Sequence, residues 1–178
     1  MVTLTFFFYF LASIFAVIGA MRGWTRELLV TFSVVVAIFI ISVVERYLPT
    51  IYDTFVQTGG KGQFWFRAVI VIVLVFFGYQ TPNIARFAGN RFVRERFQDS
   101  LTGLFLGALN GYLIVGTLWY YLEKAGYPFS DITPPAPGTE LEESVNRLLE
   151  ILPPTWLEPP IIYFAVALAF LFVIVVFL

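Results

Sequence analysis

The chain has 178 residues, of which 59% are hydrophobic, 19% aromatic and only 13% charged, with a formal net charge of −1. Soluble domains average roughly 45–50% apolar and about 25% charged residues, so a water-soluble enzyme is excluded: the polar side chains are too few to cover a core. With neither cysteine nor histidine, the usual ligands of zinc, iron–sulfur clusters and haem are missing, as is the commonest general base, so no catalytic residue, metal or cofactor is expected and disulfides cannot form.

A bilayer crossing takes about 20 helical residues for roughly 30 Å of hydrocarbon. Apolar runs of about that length lie at 2–21, 27–44, 64–80, 101–122 and 160–178. They predict an all-α polytopic membrane helix bundle of five spans. The first run has no basic residue before it and no small-x-small cleavage site followed by a polar mature domain, so it reads as a retained helix and not a secretory signal.

The turn after it carries Gly19, Arg22, Gly23, Trp24, Thr25, Arg26 and Glu27. Glycine relieves the reversal and the arginines reach toward headgroup phosphates. Glu27 faces the positive end of the second helix dipole within reach of an arginine. Taken alone, such a turn reads as a topology anchor. The second and third runs have 18 and 17 residues, short enough that a re-entrant path stands beside a full crossing.

Between the third and fourth runs, Arg86, Arg91, Arg94 and Arg96 alternate with Phe87, Phe92 and Phe97. Beside two membrane helices this pattern points to anionic lipid headgroups and not to nucleic acid, each arginine contributing about 1 kcal/mol near such a surface. The fourth run is expected to be capped by Asp99 or Ser100. Gly103, Gly107 and Gly111 recur every fourth residue, a stripe that lets another helix approach closely. Asn110 reads as the one strongly polar side chain near the middle of a span, bonding across to a neighbour. No charged side chain is expected at its depth, which argues against ion-coupled transport.

Residues 123–159 carry seven acids and two bases, so this loop is not expected to bind lipid phosphate. Pro128, Pro134, Pro135 and Pro137 predict an extended start. Thr139 to Glu142 then reads as a capping box, and Leu141, Val145, Leu148, Leu149 and Leu152 recur at helical spacing up to Pro153 and Pro154. This predicts a short amphipathic helix packed on the ends of the bundle.

Arg22, Arg26, Arg86, Arg91, Arg94 and Arg96 fall on one face. Arg46, Lys61, Arg67, Lys124 and Arg147 are spread over longer segments on the other. The positive-inside bias puts the first face in the cytoplasm of a plasma (inner) membrane, with the N-terminus outside and, for five spans, the C-terminus inside. Trp65, Trp119, Tyr120, Tyr121, Trp156 and Tyr163 on the outer side, and Trp24 and Tyr79 on the inner, fit interfacial anchors. No internal repeat is present.

Two motifs together resemble the colicin V production protein family of small bacterial inner-membrane proteins. The first is the turn Gly19, Arg22, Gly23, Arg26, Glu27; the second is the run Asp99, Gly103, Gly107, Gly111. The resemblance covers about residues 1–125 and implies a four-helix membrane unit with a role in export of a toxic peptide or in envelope upkeep, without a settled activity. Ser100 and Asn110 stand where that family usually has arginine, and an acidic Pro-rich outer loop, 126–159, and a fifth helix, 160–178, extend the unit.

The expected function is accordingly a non-catalytic accessory to secretion or envelope maintenance. A structural subunit of a respiratory or photosynthetic complex is the alternative, motivated by the aromatic lipid-facing surface, the apolar end at Leu178 and the missing motif arginines. A channel or carrier has only Asn110 and the glycine stripe behind it. The expected partners are the lipid bilayer and helices of other membrane proteins or of further copies, and no nucleic acid.

Overall fold

The computed structural model describes residues 4–80 and 93–177. The described chain is helical, in the order α1 (Leu4–Arg22), α2 (Trp24–Tyr47), α3 (Pro49–Val56), α4 (Gly59–Tyr79), α5 (Val93–Lys124), α6 (Glu140–Glu150), α7 (Pro153–Trp156) and α8 (Ile161–Phe177). By length and composition α1, α2, α4 and α5 can cross a membrane. The chain is thus an all-α helical membrane bundle, with four such helices among the described residues. The expected fifth, α8, has 17 described residues, a rise of about 26 Å at the short end of the range that crosses a bilayer.

The second and third runs are longer as helices than as apolar stretches, with 24 residues in α2 and 21 in α4. An apolar run ends at the first charge, but a helix does not: Glu45 and Arg46 continue α2, and the glycines at 59, 60 and 62 open α4. Helix α3, which no apolar run signals, starts on Pro49 in the first turn, where a missing N–H costs nothing.

Helix α2 is the centre of the bundle, touching α4, α5 and α8, while α1 packs chiefly on α5. Its Val30, Val34, Ala37, Ile38 and Ile41 are buried together with Val71 and Val75 of α4, Leu113 and Ile114 of α5, and Ile162 of α8. Hydrophobicity does not drive this contact in lipid; close packing does. Phe6, Phe7, Tyr9 and Phe10 of α1 are exposed, as a lipid-facing surface requires.

A second cluster, Phe8, Trp119, Val145 and Leu152, holds α6 against the end of the bundle. Thr139 caps α6 by accepting the Glu142 N–H at 3.2 Å, and the Glu142 carboxylate accepts the Gly138 N–H at 2.6 Å. The amphipathic helix therefore forms where the capping box and the leucine spacing place it. Tyr112 donates to the Ile151 carbonyl and Trp156 to the Tyr112 hydroxyl, which ties α5 to the stretch around α7.

Candidate functional site at the α1–α2 turn

A single residue, Gly23, joins α1 to α2. Its φ is +82° and its ψ 160°, a region that is essentially glycine's alone and costs other residues about 1–3 kcal/mol. Its N–H donates to the Gly19 carbonyl at 2.9 Å. A Cβ at this position would lie 2.8 Å from Oδ2 of Asp99.

Asp99 does not cap its own helix. Helix α5 begins six residues earlier, at Val93, so Asp99 and Ser100 lie inside it. Oδ1 of Asp99 accepts the Trp24 N–H at 3.2 Å, satisfying one of the unpaired donors at the start of α2 that Gly23 has no side chain to reach. Ser100 donates to the Ala20 carbonyl at 2.8 Å. The start of α5 thus fastens both sides of the turn.

The glycine stripe continues this contact toward the membrane. A Cβ on Gly103 would meet the Gly19 carbonyl, one on Gly107 would lie 2.9 Å from the Gly19 Cα, and one on Gly111 would lie 2.7 Å from the Ala12 Cα. These neighbours are backbone atoms, so α1 and α5 meet main chain to main chain. The stripe is covered by α1 of the same chain.

On the inner side of the turn lies a polar network spanning four helices. Arg22 of α1 pairs with Glu27 of α2, Nη1 to Oε1 at 2.7 Å, and its Nη2 donates to the Tyr79 carbonyl of α4 at 3.1 Å. The guanidinium lies 4.3 Å from the centre of the Tyr79 ring. Asn110 of α5 donates from Nδ2 to the Glu27 carbonyl at 2.8 Å and to Glu27 Oε2 at 2.9 Å, and its Oδ1 accepts from the Thr31 hydroxyl at 2.7 Å. Glu27 and Asn110 are fully buried.

The expectation that no charged side chain accompanies Asn110 is therefore corrected. Helix α5 runs 32 residues, so its midpoint is not the midplane of the bundle, and Asn110 sits level with the first turns of α2. The network binds a carboxylate, a guanidinium and an amide to one another, so the chemistry visible here is that of an interhelical clamp. Arg26 lies in the first turn of α2. Arg86 and Arg91 lie outside the described residues, as do the side chains of Arg94 and Arg96.

The sequence profile of the colicin V production protein family matches residues 4–144. The chain belongs to the colicin V production protein family. The match takes in α1 to α5 and the start of α6, further than the span to 125 that the motifs alone cover. No curated protein and no solved structure matches the chain.

In this member of the colicin V production protein family the two motifs meet in space, since Asp99 and the glycines close on the turn from Gly19 to Glu27. The two departures from the pattern sit in the same place. Asn110 offers Glu27 a neutral donor at a position where the resemblance puts a cation, and Ser100 holds the end of α1.

A second polar cluster, which sequence reasoning assigned to topology, lies at the opposite end of α2. Arg67 of α4 is fully buried. It donates from Nε to Glu45 Oε1 at 2.6 Å and from Nη2 to the Tyr52 hydroxyl of α3. Its guanidinium lies 5.4 and 5.3 Å from the ring centres of Tyr52 and Tyr121, while Nη1 has no partner among the described residues. Lys124 comes within 3.8 Å of the other Glu45 oxygen. The signal was Arg67 itself, a cation three residues inside an apolar run, which persists in a bundle only with partners.

Proposed function

We propose that this chain is a non-catalytic accessory protein of secretion or envelope maintenance in a bacterial inner membrane. One observation supports this reading: the buried polar atoms of Arg22 and Glu27 in the motif are used by their neighbours Thr31, Asn110 and the Tyr79 carbonyl, and by one another, to hold four helices. Residues conforming to the family pattern thereby act as construction elements of a rigid unit whose work is done by what docks on it.

In this reading 1–125 is the membrane unit, 126–159 an acidic cover on its outer end and 160–178 a fifth span, with the arginine-rich face in the cytoplasm. The partners are lipid and the helices of other membrane proteins or of further copies, docked on the exposed rings of α1 and on α8. Deleting the gene tests the assignment. Weakened export of a small toxic peptide or raised envelope stress, restored by the intact gene, is the expected result; unchanged export and stress would overturn it. Co-migration with a large respiratory or photosynthetic assembly on a native gel would replace it with the complex-subunit reading.

A further inference from the structure

At the end of α2 that carries Glu45, a cleft of about 340 Å³ opens between α2, α5 and the segment joining α7 to α8. Ser42, Glu45 and Arg46 line one wall, Lys124 another, and Leu157 and Glu158 the third. A second, apolar groove of about 460 Å³ runs along α8, past Trp156, Leu157, Ile161, Phe164, Leu168 and Leu171. Leu157 belongs to both. A charged pocket and an oily trough that meet at one side chain have the shape of an amphiphile.

The charges narrow the headgroup. Glu45 is already committed to the buried Arg67, with Lys124 3.8 Å away. Fully buried Arg67 keeps one unsatisfied nitrogen, so the carboxylate cannot be released from it without leaving a bare buried cation. Arg46 is in no ion pair among the described residues. Arg46, and Lys124 with only a long 3.8 Å contact to a carboxylate already held by Arg67, are thus left to meet an anion, and Glu158, exposed on the facing wall, to meet a cation. The acidic loop contributes here not a phosphate binder but the group opposite one.

We propose that this composite site holds one phospholipid with a phosphoethanolamine headgroup. Its phosphate lies against Arg46 and Lys124, its ammonium donates to Glu158, and one acyl chain lies in the groove along α8. A phosphate–guanidinium contact is charge-assisted and a primary ammonium offers three donors, whereas a trimethylated one offers none. The site accordingly selects phosphatidylethanolamine over phosphatidylcholine.

The test is native mass spectrometry of the full chain in mild detergent, titrated separately with phosphatidylethanolamine, phosphatidylcholine, phosphatidylglycerol and free glycerophosphoethanolamine. One phosphatidylethanolamine retained about tenfold more tightly than either other lipid supports the proposal, as does no retention of the free headgroup. R46Q/K124Q should lower that affinity at least tenfold, and Arg147→Gln, on the exposed face of α6, should leave it unchanged. Phe164→Ala, at an exposed ring of the groove, weakens lipid retention without touching the charged cleft. Equal retention of the three lipids, or retention by R46Q/K124Q equal to wild type, overturns the proposal. Retention of glycerophosphoethanolamine as tight as that of the lipid overturns the chain groove. Because lipid selectivity is read on the unaltered chain, the outcome does not depend on the variants folding.

Discussion

Replacing Gly107 with alanine sets two effects of opposite sign against each other. In an isolated helix the change stabilises by about 1 kcal/mol, since glycine is the poorer helix former. Here the added methyl would lie 2.9 Å from the Gly19 Cα and against the Phe15 carbonyl, whereas carbon atoms rest at about 3.5–4.0 Å. Relief requires α1 and α5 to separate by about 1 Å. A gap of that size forfeits a quarter to a half of each dispersion contact; for ~50 atom pairs at ~0.15 kcal/mol the loss is about 2–4 kcal/mol. The clash wins, and Gly107→Ala should destabilise by about 1–3 kcal/mol, a Tm lower by about 2–12 °C for a chain of this size. Thermal unfolding in mild detergent followed by tryptophan fluorescence reads this directly, because buried Trp119 of α5 lies 5.8 Å from the Phe8 ring of α1. Phe105→Ala, on the exposed side of the same helix, should change stability by no more than about 0.5 kcal/mol. A Gly107→Ala protein as stable as wild type would refute the backbone contact between α1 and α5.

Arg22→Ala should cost about 3–5 kcal/mol, because it leaves buried Glu27 without its cation. Adding Glu27→Gln should recover part of the loss in thermal unfolding, and a neutral single variant would remove the ion pair from the stabilising account. Asp99→Ala should cost about 1 kcal/mol, the usual value of a lost helix cap, and should speed hydrogen exchange at the Trp24 amide, now protected by the carboxylate; an unchanged exchange rate would contradict the cap. Burial pushes the Tyr127 phenol above its usual value, with the bond from the Trp119 indole pulling the other way. The folded chain holds that proton more tightly than the unfolded one, so the linked stability is complete below about pH 10 and falls as pH rises past it. Tyr127→Phe should flatten the decline of Tm between pH 9 and about 11, and an identical slope would show that Tyr127 contributes nothing to it.

What could be read in the chain differed between elements for physical reasons. Long apolar runs announce α1, α2, α4 and α5, because lipid demands them at nearly every position; their ends do not, because Glu45 and Arg46 are charged yet helical. Helix α6 is readable because a capping box and an amphipathic stripe are local signals. Helix α3 has eight residues and none buried, so it leaves no periodic trace. At the site, the spacing of Gly103, Gly107 and Gly111 marks a close approach but does not say that α1 is the partner. That Asp99 caps a helix 75 residues away in sequence, or that Glu45 and Tyr52 converge on Arg67, depends on the pairing of helices. No single segment contains that information.

Helix α2 carries one buried carboxylate contact near each end, Glu27 to Arg22 and Glu45 to Arg67. At 1.5 Å per residue these two acids stand about 27 Å apart, close to the roughly 30 Å of a hydrocarbon core. The protein therefore contains its own ruler. A bilayer much thicker than the ruler would draw both ion pairs into oil and one much thinner would expose apolar helix, at fractions of a kcal/mol for each ångström of mismatch. Because each end is held by a different neighbouring helix, α2 cannot slide along its axis to compensate without breaking a pair. Acyl length thus becomes a variable to which this bundle responds as one body.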